Sequence, residues 1–329
     1  MRGTSDCPPS GRESTVMLGM PVTPLRGGTS AGDCNAALAL PGRRQAAAAC
    51  GLAGLRYVEL ETSRYCNRTC EWCPNGHSGA RRSQQLMSWP LFAKVTAELG
   101  DAGFAGFVAL HNYNEPLANP RLHEELDRLR VAAPQARPAI YTNGDLLKRD
   151  ELERLLAAGV RYVRVTRYPH RASVPPTAEA VRRWLIQAGL SETFEWRFGP
   201  VRQGVAARWQ DDAAGVVVEV IRPSIAAYND RGGTALVPGQ PRPRAVPCRM
   251  TETSVSVDYR GMVKMCCNVI PDSAPDHERY VVGMVADATL AELWNSDAMA
   301  GWRARHAVAD WSASPACRSC VQALPETRQ

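Results

Sequence analysis

The sequence predicts an α/β fold: a partial (β/α)6 barrel followed by a small C-terminal module. Three observations predict it. Six short β-type runs fall between residues 57 and 221, most of them separated by a helix, which is the pattern of parallel βαβ units. The stretch 55–222 is too short for an eight-unit barrel, which takes roughly 250 residues. A Gly- and Pro-rich break at 223–247 then leads into a region that holds five of the eleven cysteines, Cys248 to Cys320.

Residues 1–54, rich in Gly, Pro, Ser and Ala, read as a poorly ordered leader. The first strand is expected at 57–61. A helix follows over 88–100, opened by Ser88 and Pro90 and closed near Gly100. Strands at 106–110, 138–141 and 162–165 alternate with helices at 119–133, 147–158 and 176–188. Two further strands are expected at 194–198 and 216–221. Residues 223–247 read as a linker, and 248–329 as the second unit, with a hairpin strand ending at Cys266 and a helix over 288–295.

Composition narrows the function classes. Hydrophobic residues make up 45% of the 329 and charged residues 22%, an ordinary globular balance. The net charge of +6 comes with only three lysines, Lys94, Lys148 and Lys264, and arginines scattered along the chain, so no nucleic-acid partner is expected. No apolar run reaches the ~18 residues of a membrane helix, and no signal peptide is visible. The expected location is the cytoplasm, with no membrane partner. There, eleven cysteines point to metal or redox chemistry rather than disulfides.

Cys66-Asn-Arg-Thr-Cys70-Glu-Trp-Cys73 follows the first strand directly. Three thiolates so close can wrap one corner of a cubane iron–sulfur cluster and leave one iron open. A structural zinc site is the alternative on spacing. The position favours the cluster, because the loop after the first strand of a βα barrel lies on the catalytic face. The motif resembles the signature of the radical S-adenosylmethionine (SAM) superfamily, including the aromatic Trp72 before the last cysteine. That resemblance covers roughly 55–222 and implies SAM bound at the open iron of a 4Fe–4S cluster held by Cys66, Cys70 and Cys73. It also implies that Glu115, in His111-Asn-Tyr-Asn-Glu115-Pro116, holds the methionine amino group. Asn143, in Thr142-Asn143-Gly144, resembles the family's ribose-contacting turn.

Cys248, Cys266, Cys317 and Cys320 could together ligate an auxiliary 4Fe–4S cluster, with a zinc ribbon as the alternative. The module resembles the shortened SPASM domain called a twitch domain, and Gly283 and the Leu293-Trp294 helix resemble the segment after its hairpin. Cys7, Cys34 and Cys50 sit outside both modules and read as incidental.

Cys267 is left over. If strand alternation turns it away from the cluster that Cys266 faces, it is either a small buried apolar residue or a hydrogen-atom donor. Within the twitch branch this layout is similar to aminoglycoside enzymes of the neomycin C epimerase kind. The resemblance implies an epimerase of antibiotic biosynthesis: a 5′-deoxyadenosyl radical removes hydrogen from a carbohydrate carbon, and the Cys267 thiol returns one on the opposite face. The alternative is a radical dehydrogenase that oxidises a secondary alcohol of an aminocyclitol and needs no donor thiol. A third reading is a non-catalytic zinc or iron–sulfur protein. An aminoglycoside or aminocyclitol substrate is cationic and should meet carboxylates, for which Glu61, Glu195 and Glu219 are candidates. A flavodoxin or ferredoxin is the expected electron donor.

Overall fold

The structure is a computed structural model, and it describes residues 51–77, 84–169, 176–199, 204–223, 229–237 and 243–320. Almost all of the 1–54 stretch therefore lies outside the described residues, as do Cys7, Cys34 and Cys50.

Within the described residues one ten-stranded sheet carries the fold. Its strands are β1 (Tyr57–Leu60), β2 (Phe107–Ala109), β3 (Arg137–Thr142), β4 (Tyr162–Thr166), β5 (Arg197–Phe198), β6 (Val205–Asp211), β7 (Val216–Ile221), β8 (Ser254–Val257), β9 (Met262–Lys264) and β10 (Val281–Met284). They lie in the order β10-β9-β8-β1-β2-β3-β4-β7-β6-β5. β1, β2, β3, β4 and β7 are parallel neighbours in series, as the alternation with helices predicts. The expected α/β architecture and its C-terminal module are both present.

Among the described residues, four helices longer than the short Pro74–His77 turn connect or follow the parallel strands: α1 (Trp89–Asp101), α2 (Leu122–Ala132), α3 (Arg149–Ala157) and α4 (Ala178–Gln187). α1 starts where the sequence says it should. The Ser88 side chain accepts from the Leu91 amide, and proline occupies the first turn, where its missing N–H is no loss. Phe92, Val95, Thr96 and Leu99 then recur at helical spacing and are buried.

The sheet's two faces differ chemically. Val58, Leu60, Val108, Leu110, Ile140, Val163, Val165, Val218 and Val220 turn outward and pack under the helices in the main core. Period two then puts Tyr57 and Glu59, Ala109, Tyr141, Arg164 and Glu219 on the inner face. Each buried aliphatic side chain of the outer layer contributes about 1.5–3 kcal/mol. A few ionisable groups on the opposite face are tolerable against that layer.

Two elements differ from expectation. The strand expected at 194–198 has only Arg197 and Phe198, both exposed, and it pairs antiparallel with β6, which the sequence reading missed. β6 and β7 form an antiparallel hairpin turned at Gly215 (φ +64°), and Ala214 N donates to Asp211 there. The Ala206-Ala207-Arg208 run is poor β sequence taken alone. Its pairing is supplied by β7 and by Arg208, which bridges to Glu219 at 3.2 Å.

The C-terminal module is continuous with the barrel sheet. β8 pairs parallel with β1 from Tyr57↔Ser254 to Leu60↔Val257, and β9 and β10 extend it antiparallel. Helix α5 (Leu290–Trp294) is capped by Thr289 and Glu292 in a capping box, and its Leu290 amide donates to Glu98 of α1 at 2.6 Å. Helix α6 (Asp297–Ala307) follows. No helix among the described residues is long and apolar enough to cross a membrane.

Candidate active site

The Cys66–Cys73 loop leaves β1 and is fixed by backbone bonds before any cofactor is considered. Cys73 N donates to Cys70 O at 3.1 Å, and Gly76 N to Cys73 O at 2.9 Å. Gly76 is required there, because a Cβ would stand 2.2 Å from the Cys70 carbonyl oxygen. Asn75, 3% exposed, donates to the carbonyls of Arg64 and Tyr113 and so pins the loop to the end of β2. Trp72 is buried and lies against Tyr168 with ring centroids 6.0 Å apart.

Glu115 and Asn143 meet beside this loop. Glu115 Oε1 accepts from Thr142 Oγ1 at 2.6 Å and from Leu117 N at 3.1 Å, and Oε2 accepts from Asn143 N at 2.8 Å. A carboxylate has about four lone-pair sites, so these three bonds leave capacity for one further donor. Burial pushes the Glu115 carboxyl up to about 7 against the pull of those donors. Asn143 Nδ2 donates to Asn67 Oδ1 at 2.8 Å, next to Cys66. Sequence motifs from three strand ends are thus brought together.

The second cysteine group surrounds one cavity. Cys248, Cys266, Cys317 and Cys320 line it, with Met250, Met265 and Trp311 among its walls. Nitrogen groups face the sulfurs: Asn268 N to Cys266 at 3.5 Å, Asn229 Nδ2 to Cys320 at 3.3 Å, and His306 Nε2 3.8 Å from Cys317. Two residues of the 223–247 stretch, Asn229 and Arg244, are part of this site rather than plain linker. Buried Arg244 reaches the Cys320 carbonyl at 3.2 Å.

The donor sets fit iron–sulfur clusters. All eight described cysteines are free thiols. Among the described residues no three His, Cys, Asp or Glu side chains converge closely enough to hold a single metal ion; the four downstream thiols are instead spread around a cavity. Sulfurs with nearby N–H donors are the environment that tunes such clusters. Burial pushes the thiols up, Cys66 and Cys317 to about 12 and Cys70 to about 11. Metal coordination is what would ionise them.

Cys267 does not sit on a strand. β9 ends at Lys264, and Cys266 and Cys267 lie in the turn beyond it, so strand alternation does not govern them. The buried Cys267 packs against Cys248, Met250 and Trp311. Its thiol meets the Cys266 side chain first and also faces the Glu59 carboxylate inside the barrel. Its carbonyl accepts from Tyr113 Oη at 2.8 Å and from Asn112 Nδ2 at 3.4 Å. The thiol stands between the second cysteine site and the barrel interior.

That interior holds residues the sequence reading passed over. Glu59, 4% exposed, accepts from Asn112 Nδ2 at 2.9 Å, and burial pushes its carboxyl up to about 7 despite Lys264 and Arg231 nearby. His111 stacks on Tyr141 at 4.3 Å, and burial holds it down to about 3. Period two could have found Glu59, which shares a strand face with the named Glu61. Of the three named carboxylates, Glu61 accepts from Tyr113 N and is buried. Glu219 is committed to Tyr162 Oη at 2.7 Å and to Arg208. Glu195 is exposed.

A partial α/β barrel with a three-cysteine loop after its first strand and a four-cysteine module behind it defines a class. Residues 60–166 match the radical SAM superfamily, and residues 248–321 match the SPASM iron–sulfur cluster-binding domain. It is similar to an S-adenosyl-L-methionine-dependent 2-deoxy-scyllo-inosamine dehydrogenase of Niallia circulans, 25% identical over 83% of this chain and 95% of that protein. It also shares the fold of BtrN, solved in complex with AdoMet and 2-DOIA (24% identity, TM-score 0.62, 84% of this chain and 96% of that one). A second BtrN structure, in an open conformation, aligns with 22% identity and a TM-score of 0.53 over 82% of this chain and 92% of that one.

Proposed function

We propose that the protein is a radical SAM dehydrogenase that oxidises a secondary alcohol of an aminocyclitol or a related aminoglycoside. The observation that carries this reading is the similarity to a dehydrogenase of that substrate class along nearly its whole length. Epimerisation, the first expectation from the unpaired Cys267, gives way to the oxidation held beside it.

In this reading Cys66, Cys70 and Cys73 hold the SAM-binding 4Fe–4S cluster, and Cys248, Cys266, Cys317 and Cys320 hold the auxiliary one. Residues 55–222 then form the radical SAM barrel, and 248–329 the auxiliary-cluster module, joined through 223–247. The bound cofactors supply a hydrogen-abstracting radical and an acceptor for the second electron. A flavodoxin or ferredoxin supplies the electron that starts the reaction. Glu115 and Asn143 orient the SAM from the strand ends. The polar inner face, with Glu59, His111, Asn112, Tyr141 and Arg164, holds the hydroxyl- and amine-bearing ring between the two cysteine sites.

A second reading keeps a specific support. The Cys267 thiol lies against Glu59 inside the barrel, where a hydrogen-atom donor for an epimerase would have to be. Anaerobic incubation of the iron-loaded enzyme with SAM, a reductant and a set of aminocyclitols decides between them. A ketone two hydrogens lighter than the substrate supports the dehydrogenase. An inverted alcohol of unchanged mass in light water supports the epimerase.

A further inference from the structure

We propose that Glu59 is the group that takes the hydroxyl proton from the alcohol as it is oxidised, with Asn112 holding its carboxylate in place. The proposal deepens the dehydrogenase reading above and rests on it. In balance, the C–H hydrogen leaves as an atom to the SAM-derived radical, and the O–H proton passes to a Glu59 oxygen. The carbon–oxygen bond becomes double, and the remaining electron goes to the auxiliary iron–sulfur cluster as oxidant.

Geometry selects this carboxylate. Glu59 stands at the floor of the barrel interior: Tyr57, Phe107 and Tyr162 fill the layer beneath it. Above it the His111 side chain is 14% accessible. Its Oε2 takes the Asn112 hydrogen bond, while Oε1 faces His111 Nε2 at 3.8 Å, beyond hydrogen-bond reach. The Asn112 Oδ1 is buried with no partner among the described residues, so an acceptor awaits a second hydroxyl beside the carboxylate. Competing groups are committed or weak. Glu219 is bonded to Tyr162 and Arg208, and Glu61 to the Tyr113 amide. His111 is held neutral and is a poor base.

The charged surroundings suit the role. Lys264 and Arg231 favour the ionised form of Glu59, while burial opposes it, and the balance leaves the carboxyl near 7, where a base is effective. The other titratable groups facing it are Tyr57 of the same strand, His111, Tyr113 and Tyr141 from the neighbouring strand ends, and the Cys267 thiol. Burial pushes those phenols up, so they stay neutral through the same range, and the Cys266 side chain together with burial raises the Cys267 thiol. Asn112 Nδ2 also reaches the Cys267 carbonyl at 3.4 Å, one residue past Cys266. The proton acceptor therefore sits beside the segment that would carry the electron acceptor.

The test compares full-length iron-loaded wild type, Glu59→Gln and Glu59→Asp, with the aminocyclitol that wild type converts. Calorimetry should show substrate binding within about tenfold in all three. In Glu59→Gln the ketone should fall by a factor of about 10²–10⁴, the usual worth of a positioned base. 5′-Deoxyadenosine should still form, and a substrate radical should become visible by electron paramagnetic resonance. Glu59→Asp should recover part of the ketone. Wild-type ketone formation should rise with pH through about 7 and level off. Glu115 is pushed up to the same range, so the infrared carboxyl signal titrating there should lose one component in Glu59→Gln and keep the other. A Glu59→Gln protein that makes ketone at the wild-type rate, or one whose carboxyl signal in that range is unchanged, overturns the proposal alone. A wild type that yields only inverted alcohol overturns the dehydrogenase reading and this proposal with it.

Discussion

If Glu59 is kept for its chemistry, the fold should be more stable without its charge. The perturbation is Glu59→Gln, which keeps the shape and the Asn112 contact but cannot ionise. A carboxyl that titrates at about 7 in the folded chain instead of 4.5 costs ~3 kcal/mol of stability once fully ionised, at about 1.4 kcal/mol per pH unit. The folded value is raised, so the stabilising contribution is complete below pH 4.5 and is lost as pH rises through 7. Between about pH 5.5 and 8.5, where the clusters can be kept intact, roughly 2 kcal/mol of that should be lost from the wild type and none from the variant. At about 1.5 °C per kcal/mol for a chain of 329 residues, the variant's melting advantage should grow by about 3 °C across the range. Anaerobic calorimetry of both proteins reads it directly, and Glu115, which is also pushed up to about 7, cancels in the difference. A melting difference that does not change with pH would refute the reasoning.

Three further outcomes follow from the cysteine geometry. Cys70→Ala should abolish SAM cleavage while the auxiliary cluster, measured by iron content and its reduced spectrum, stays bound, because the two sites share no sulfur. Cys320→Ala should remove roughly half the iron and lower the stability of the C-terminal module, since cluster binding is coupled to folding; full iron retention would exclude that sulfur as a ligand. Cys267→Ala should leave both clusters and ketone formation within severalfold of wild type. A loss of product by orders of magnitude, the worth of a positioned reactant at about 10⁵ M or more, would instead restore the epimerase reading.

What the sequence made legible depended on how local the cause was. The Cys66, Cys70 and Cys73 spacing and the helix start at Ser88 are short-range features, and each appears where its residues imply. The β5–β6 pairing was illegible, because the Ala-rich β6 owes its strand to β7 and to the Arg208–Glu219 contact rather than to its own propensity. The orientation of Cys267 could not follow from alternation, since β9 stops at Lys264 and a turn sets both thiols. Glu59 looked like one acidic residue in a short strand. Its burial and its bond to Asn112 come from a partner 53 positions away. The same holds for Asn229, whose contact with Cys320 spans 91 positions.

The central claim is oxidation at a carbinol carbon, and isotope tracing tests it most directly. An aminocyclitol deuterated at the reacting carbon should pass its deuterium to 5′-deoxyadenosine and emerge as an unlabelled ketone, one per 5′-deoxyadenosine formed. Recovery of an inverted alcohol whose new hydrogen comes from solvent, with no ketone, would contradict it.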